Sequence, residues 1–196
     1  MAAVFAADDL TLGLLAGGRG TRLGGVDKAW LERDGIPQVL RLARRFPGET
    51  GPVLVSANRG LERYAAAGLR TVPDRMDDGS GPLAGIDALA AGCTTPWLLT
   101  LPVDLFDVND CLLRTLASGT SAHGAVAEDD DGLQPLVALY RRDALREALP
   151  ALIASNDFAP RRLQQRLGLA RVRLPGVRFG NLNTPQDLAL ARIPLP

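Results

Sequence analysis

Short apolar runs alternate along the chain with segments of helical periodicity. The first run, LTLGLL at residues 10–15, ends in Ala-Gly-Gly, which is typical of a buried strand that delivers the chain into a loop. Apolar runs predict strands at 10–15, 52–57, 69–73, 97–103, 124–127, 135–140 and 172–174. Apolar positions at helical spacing predict helices at 38–46, 61–67, 82–91, 109–117, 143–154, 160–167 and 185–192.

This alternation predicts an α/β fold with three layers, in which helices cover both faces of a mostly parallel sheet. Sheets of that kind bind ligands in the crevice at the carboxyl ends of their strands. The length of 196 residues fits one core, and no linker or repeat interrupts the sequence. We therefore expect a single domain that spans residues 1–196.

Composition and charge narrow the range of functions. The 22 Lys and Arg residues balance the 22 Asp and Glu residues, which argues against a general nucleic-acid binder or an anionic-membrane binder. Cys93 and Cys111 lack metal-site or disulfide spacing, which favours a reducing compartment. No uncharged apolar run reaches the roughly 18 residues that a membrane-spanning helix needs. We expect a cytoplasmic protein that binds neither nucleic acid nor membranes.

A glycine-rich segment, LAGGRGTRLGGVDK at residues 15–28, directly follows the first predicted strand. Glycine allows backbone N–H groups to approach an anion closely, and Arg19, Arg22 and Lys28 add three cations within the same stretch. A flexible surface loop is the plainer interpretation, but it does not account for the clustered cations. The combination predicts a cradle for a polyphosphate.

Spacing excludes two familiar phosphate-binding loops. A P-loop requires Lys directly after its last glycine, whereas Gly20-x-x-x-x-Gly25 is followed by Val-Asp before Lys28. A dinucleotide fingerprint requires a third glycine where Gly18-x-Gly20-x-x is followed by Leu23. The segment is therefore neither a Walker A motif nor a Rossmann NAD-binding turn.

The segment instead resembles the L-A-G-G-x-G-T-R-L signature of nucleotidyltransferases. Its G-G-x-D-K ending resembles that of the molybdenum cofactor guanylyltransferases, the MobA type. Four further blocks are similar to that family in order and spacing: VSANR at 55–59, PD at 73–74 followed by GPLAG at 81–85, LPVD at 101–104 and FGNLNTPQDL at 179–188. The resemblance extends over about residues 10–190.

The resemblance implies a Rossmann-like nucleotidyltransferase fold and a magnesium-dependent reaction. In that reaction GMP passes from GTP to the phosphate of the molybdenum-molybdopterin cofactor, giving the guanine dinucleotide form of the cofactor and pyrophosphate. Two alternatives stay open at this point. One is a CTP-dependent cytidylyltransferase that acts on the same pterin acceptor, and the other is a nucleotide-binding regulator without turnover.

Nucleotidyl transfer brings together two phosphate groups that repel each other, so the reaction needs cations. Arg22 and Lys28 are the expected catalytic cations. Asp104 follows the apolar run 97–103, where a parallel strand would place a carboxylate in the crevice, although a helix N-cap or turn is the alternative for such an Asp. Mg²⁺ is commonly held by one or two carboxylates and substrate phosphates. The resemblance implies that Asp104 binds this Mg²⁺ and is also catalytic.

The remaining site residues follow from the resemblance. It assigns nucleotide contacts to Leu15, Ala16, Gly17, Gly18, Lys28, Asn58, Asp74 and Asp104. Asn181 and Asn183 flank Leu182 at strand period, so both side chains are expected on one face of a strand, and the resemblance implies that they bind the pterin. Thr184 and Pro185 then predict the start of a helix.

Two charged segments have plainer interpretations. The acidic run EDDD at 128–131 lies between two apolar runs, which favours a hairpin tip over a metal site. Arg41, Arg44 and Arg45 could dock an apo-molybdoenzyme or a cofactor-donating protein, but a solvated helix face more often explains such a run. We expect a monomer whose contacts with protein partners are transient.

Overall fold

The computed structural model describes residues 5–17, 26–76 and 80–194. Its strands are β1 (Leu10–Leu15), β2 (Glu32–Arg33), β3 (Ile36–Pro37), β4 (Val53–Ser56), β5 (Arg70–Val72), β6 (Trp97–Pro102), β7 (Leu105–Phe106), β8 (Gly124–Asp129), β9 (Gly132–Arg141), β10 (Ala170–Arg173) and β11 (Gly180–Asn181). Its α-helices are α1 (Gln38–Ala43), α2 (Leu61–Ala66), α3 (Gly81–Gly92), α4 (Leu112–Ser118), α5 (Arg142–Ala154), α6 (Pro160–Leu167) and α7 (Pro185–Leu190).

The central sheet contains seven strands in the order β10-β8-β9-β6-β1-β4-β5. Neighbouring strands are parallel except at β9, which is antiparallel to both β8 and β6. Two small antiparallel pairs, β2 with β3 and β7 with β11, lie outside this sheet. The mostly parallel sheet that the sequence predicts is confirmed, and so is the hairpin at the acidic run, which joins β8 to β9.

Helices cover both faces of the central sheet because alternate strand residues point to opposite sides. Leu12 and Leu14 of β1 belong to one core cluster with Leu42 of α1 and Leu116 of α4. Leu98 of β6 belongs to a second cluster, which is formed with α3, α5 and α6. Burial of each such leucine contributes about 1.5–3 kcal/mol. The predicted three-layer α/β architecture is confirmed.

A third, smaller apolar cluster lies beneath α7. Its buried members come from the segment after Lys28 and from the last part of the described chain: Leu31, Leu182, Leu188, Ala191 and Ile193. The cluster thereby packs helix α7 against Leu31, shortly after Lys28. Within the described ranges, no helix is both long enough and apolar enough to cross a membrane.

The hairpin between β8 and β9 provides a test of the fold. Gly124 opens β8 with φ +137°, and a Cβ there would overlap the backbone carbonyl oxygen of Leu139 on the paired strand. Gly132 opens β9 with φ +119°, but a Cβ there would meet no atom within 4 Å. Gly132→Ala thus adds backbone strain alone, of order 1–3 kcal/mol.

We expect Gly124→Ala to lower the free energy of unfolding by about 1–3 kcal/mol more than Gly132→Ala, because it adds a steric overlap to a similar strain. Urea unfolding followed by circular dichroism measures both values. Equal losses in the two variants would contradict the close approach of β9 at Gly124.

Candidate active site

The carboxyl ends of β6, β1, β4 and β5 meet at one edge of the central sheet. These strands are parallel neighbours in that order. The chain passes from β1 to β4 on one side and later adds β6 on the other side, so the strand order reverses at β1. Open α/β sheets bind ligands in the crevice at such a point. Among the described residues, the predicted site residues that follow these strands lie at this edge.

Lys28, Asp104 and Asn183 come together in the crevice. The Lys28 Nζ atom lies 3.1 Å from Asp104 Oδ2 and also donates a hydrogen bond to Asn183 Oδ1. The Lys28 and Asp104 side chains are only 19% and 25% exposed, so water screens their attraction less than it would at the surface. Lys28 is also the only lysine in the sequence. One ammonium group therefore links three segments that are far apart along the chain.

Local contacts fix the backbone that carries Lys28. Residues Lys28–Trp30 form a single 3₁₀ turn, and the Asp27 side chain caps it by accepting a hydrogen bond from the Ala29 amide. The Trp30 ring lies 5.0 Å from the Tyr64 ring, and the Arg63 guanidinium stacks over Trp30 at 4.2 Å. Trp30 thus anchors the turn against α2 and holds Lys28 at the crevice.

The small sheet of β7 and β11 brings Asp104 and Asn183 together. Leu105 pairs with Asn181 across this sheet, and the Leu182 amide donates to the Asp104 carbonyl oxygen at 2.8 Å. The buried Gln38 side chain donates to the Leu105 carbonyl oxygen at 2.7 Å and ties the pair to α1. The segment after β6 and the segment before α7 are therefore joined to each other and to α1.

The predicted strand through Asn183 is wrong, because β11 ends at Asn181. The Asn183 amide bonds to the Asn181 carbonyl oxygen instead of continuing a ladder. The helix start at Thr184 is confirmed by a capping box, in which Thr184 accepts from the Asp187 amide while Asp187 accepts from the Thr184 amide. Asp187 also accepts from the Asn183 amide at 3.0 Å, which orients the residue that contacts Lys28.

The charge of Asp187 is stabilised at this helix start. Burial alone would raise the pKa of Asp187, but the hydroxyl of Thr184, the amides of Asn183 and Thr184 and the charge of Lys28 hold its pKa below the usual value. The carboxylate therefore stays ionised at neutral pH and supports the turn at Asn183.

Asn58 and Asp74 form a second polar unit at the same edge. The Asn58 Nδ2 atom donates to Asp74 Oδ2 at 2.7 Å, and the Asp74 amide donates to Asn58 Oδ1 at 2.8 Å. The Ser56 hydroxyl donates to Asp74 Oδ1 at 3.1 Å from the end of β4. These bonds join the loop after β4 to the loop after β5.

The end of β1 lies between the two polar units. The Leu15 carbonyl oxygen accepts from the Val103 amide, and the Ala16 amide donates to the Ser56 carbonyl oxygen, so both groups extend the sheet. Gly17 is exposed, and a Cβ there would meet no atom within 4 Å. Two predicted site residues, Gly18 and Arg22, lie outside the described residues.

Asp129 anchors the chain ahead of β11. Its carboxylate accepts from the Phe179 amide at 2.9 Å, from Gln134 Nε2 at 3.0 Å and from the Asp131 amide at 3.0 Å. Burial alone would raise the pKa of Asp129, but these hydrogen bonds hold it below the usual value. The acidic run is therefore a hairpin tip with one buried structural carboxylate, and not a solvated tip throughout.

The donor set at the crevice fits a hard divalent cation that the substrate helps to hold. In the described part of the chain, no group of three or more His, Cys, Asp or Glu side chains could hold a metal ion. Asp104 offers one carboxylate at the end of β6, and its side chain caps no described helix. A single carboxylate that is completed by phosphate oxygens is a common arrangement for Mg²⁺.

Sequence reasoning missed two carboxylates that support the site. Asp187 had a detectable signal, because Thr184 is followed three residues later by an acid, as in a capping box. Asp129 stands in a run of acids, and nothing in the sequence distinguishes it from its neighbours. In the run of Arg41, Arg44 and Arg45, for which a solvated helix face is the favoured interpretation, Arg45 pairs with Asp110 at 2.8 Å and Arg41 donates to the Arg33 carbonyl oxygen.

Comparison with known proteins assigns this arrangement to a family. A family model described as the MobA-like NTP transferase domain matches residues 13–172. The chain is similar to a molybdenum cofactor guanylyltransferase of Pseudomonas aeruginosa, with 40% identity over 181 residues, 90% of this chain and 91% of the relative. It is also 34% identical to a molybdenum cofactor guanylyltransferase of Cupriavidus necator over 94% of this chain and 97% of that relative.

A solved structure has the same fold. The crystal structure of molybdopterin-guanine dinucleotide biosynthesis protein A from Archaeoglobus fulgidus superposes with a TM-score of 0.70. The match covers 92% of this chain and 96% of that chain at 22% sequence identity.

Asp129 makes the stability of the fold depend on pH in a way that can be tested. We expect Asp129→Asn to lower the free energy of unfolding at pH 7 by about 1–3 kcal/mol, because an amide cannot accept from all the donors that face it. The pKa is lower in the folded than in the unfolded chain, so the carboxylate stabilises the fold above the unfolded value of about 3.9. This stabilisation is lost as the pH falls through the folded-state pKa.

Urea unfolding of the wild type and of Asp129→Asn between pH 7 and pH 2 measures the difference in their free energies of unfolding. Asp131→Asn is the matched control, because Asp131 lies at the exposed tip and pairs only loosely with Arg178, at 3.6 Å. We expect that control to change stability by less than about 1 kcal/mol. A difference for Asp129→Asn that grows as the pH falls would contradict the assignment.

Proposed function

Because the chain belongs to the family of MobA-like NTP transferases, we propose that it is a nucleotidyltransferase that moves GMP from GTP to the phosphate of the molybdenum-molybdopterin cofactor. An oxygen of the acceptor phosphate forms a bond to the α-phosphorus of GTP, and the bond from that phosphorus to pyrophosphate breaks. The products are the guanine dinucleotide form of the cofactor and pyrophosphate.

The observation that carries this proposal is the cluster of Lys28, Asp104 and Asn183 at the point where the strand order reverses. The reaction must bring two anions together, and two unit charges about 4 Å apart interact by roughly 4 kcal/mol at an effective dielectric constant near 20. A positioned ammonium offsets a repulsion of that size. Lys28 supplies it from a fixed backbone, so little reorganisation is needed during the reaction.

Asn183 connects this ammonium to the acceptor side of the crevice. We assign Asn181 and Asn183 to the pterin, since both lie in the segment that β7 and the α7 capping box hold beside Asp104. The Asn183 Oδ1 atom accepts from Lys28, which leaves its amide hydrogens able to donate to an acceptor atom. The same residue thereby relates the position of the pterin to that of the catalytic cation.

The nucleotide is assigned to the other side of β1. Asn58 and Asp74 would accept or donate at the guanine edge or the ribose, and the backbone of Leu15, Ala16, Gly17 and Gly18 would line the phosphates. A site that pairs with the donor edge of guanine discriminates strongly, because a base without those donors would cover its acceptors and leave them unpaired. We assign Arg22, in the glycine-rich segment, to the phosphates as the second catalytic cation.

Nucleotidyltransferases of this family typically use a divalent metal ion, and we propose that it is Mg²⁺ held by Asp104. When bound, the ion supplies Lewis-acid stabilisation of the phosphate oxygens. Asp104 pairs with Lys28 in the structure, so the carboxylate is already oriented toward the cationic centre of the crevice.

We further propose a cytoplasmic monomer. The cysteines are free thiols and Cys111 is exposed, which suits a reducing compartment. Among the described residues, the large exposed hydrophobic side chains are Ile36, Leu61 and Leu190, and they belong to three different elements. Transient contact with a cofactor donor or an apo-molybdoenzyme remains part of the proposal.

We expect purified protein to release pyrophosphate only when GTP, molybdopterin cofactor and Mg²⁺ are all present. An enzyme-coupled pyrophosphate assay with GTP, CTP, ATP or UTP measures the nucleotide preference. Faster release with CTP would favour a cytidylyltransferase. GTP binding in calorimetry without pyrophosphate release would favour a regulator that lacks turnover.

We expect Lys28→Ala and Arg22→Ala each to lower kcat/KM by at least about 10²-fold, because each removes a cation that faces developing negative charge. Lys28→Arg should not restore activity, since a longer planar guanidinium cannot occupy the place of the ammonium between Asp104 and Asn183. Circular dichroism checks that the fold survives. Turnover at the wild-type rate in either alanine variant would contradict the proposed roles.

A further inference from the structure

Arg75 is the residue after Asp74, the proposed nucleotide contact, and its side chain bonds to helix α3. Its Nε atom donates to Asp87 Oδ2 at 2.9 Å and its Nη2 atom donates to Asp87 Oδ1 at 2.8 Å. The Asp87 side chain is only 5% exposed, whereas the Arg75 side chain is 58% exposed. A loop guanidinium thus reaches down onto a buried helix carboxylate with both arms of its fork.

The helix that carries Asp87 is fixed to the central sheet. Leu83, Ile86 and Leu89 of α3 are buried in the second core cluster. Gly85 lies so close to the strands that a Cβ there would approach Ser56 Oγ at 2.8 Å. Ser56 in turn donates to Asp74. Helix α3 is therefore a rigid reference for the end of β4.

Asp74 and Arg75 are consecutive, and each is held by a different partner. Asp74 bonds to Ser56 and Asn58 at the end of β4, and Arg75 bonds to α3. Two anchors on adjacent residues leave the backbone between them little freedom to rotate. The bonds of Asp74 to the end of β4 and the bonds of Arg75 to α3 together set the direction of the Asp74 carboxylate.

Stability alone explains the Arg75–Asp87 pair poorly. A buried carboxylate loses hydration that its partner only partly returns, so apolar replacements at such pairs are often neutral or stabilising. The Arg75 side chain is largely exposed and borders a cavity of about 330 Å³, so it adds little apolar packing to the core. The position of Arg75 beside Asp74 gives the pair a different role.

We propose that Arg75 and Asp87 are positioning residues, which set the affinity and selectivity for the nucleotide by orienting Asp74. This inference rests on the proposed function, in which Asp74 contacts GTP. Neither residue touches the reacting atoms, so the pair acts on binding and leaves turnover nearly unchanged.

We expect Asp87→Asn and Arg75→Gln each to raise the Kd for GTP about tenfold, which lies within the usual range of coupling between contacting residues. The value of kcat at saturating GTP should change by less than about threefold, since the interaction acts on binding. Arg75→Lys should fall between Arg75→Gln and wild type, because a lysine keeps the charge but not the fork. Calorimetry with GTP and Mg²⁺ gives the Kd.

The Asp74→Ala background tests whether the pair acts through Asp74. There, Arg75→Gln should change the Kd by less than about twofold, since the group that it orients is gone. A further tenfold loss in that background would show that Arg75 contacts the nucleotide itself and would overturn the inference. So would wild-type affinity in both Asp87→Asn and Arg75→Gln.

Two controls separate this inference from its premise and from general destabilisation. Arg114→Gln removes a similar pair, with Glu49 at 3.0 Å, that is remote from the crevice, and it should leave the Kd unchanged. Thermal unfolding identifies any variant that fails to fold, and Asp87→Asn is the milder of the two because the exposed Arg75 can be hydrated. Wild-type protein that does not bind GTP would overturn the proposed function together with this inference.

Discussion

The ammonium of Lys28 joins the polar side chains of three segments that lie far apart along the sequence. Asp104 follows the central strand β6, Asn183 precedes helix α7, and Lys28 is the last residue of the glycine-rich segment. Each acceptor would be a partly buried polar group without this cation, and such groups are costly to leave unpaired. The capping box at α7, the β7–β11 pair and the Trp30 contacts serve to keep these acceptors and their donor in register.

The crevice has two halves because the sheet reverses its strand order at β1. The half beyond β4 and β5 contains amide and carboxylate groups that bond to each other, which suits recognition of a base or a sugar. The half beyond β6 contains the ion pair and the asparagine segment, which suits phosphate chemistry. The halves are anchored separately, by the Arg75–Asp87 contact with α3 on one side and by β7 and β11 on the other.

Strong local patterns made the main strands and helices predictable from sequence. Runs such as LTLGLL and WLLTLP are apolar enough to identify buried strands, and glycine or proline marks their ends. The two-residue strands β7 and β11 are too short for any periodicity, so the pairing that carries Asn181 was out of reach. The insertion of β9 between β8 and β6 likewise depends on contacts between residues far apart in the sequence, so local patterns do not predict it. The sequence singles out Lys28, Asp104 and Asn183 as candidate site residues, but the contacts of Lys28 with the other two depend on tertiary structure.

The composition of the chain gives the active site an unusual experimental property. Apart from His123, all the other basic side chains are arginines, and the one lysine bonds to Asp104 and Asn183 in the crevice. A lysine-selective ¹³Cε isotope label would therefore yield one side-chain resonance in solution NMR, and that resonance would come from the site alone. Its ionisation, mobility and occupancy could be followed in the intact protein without any sequential assignment.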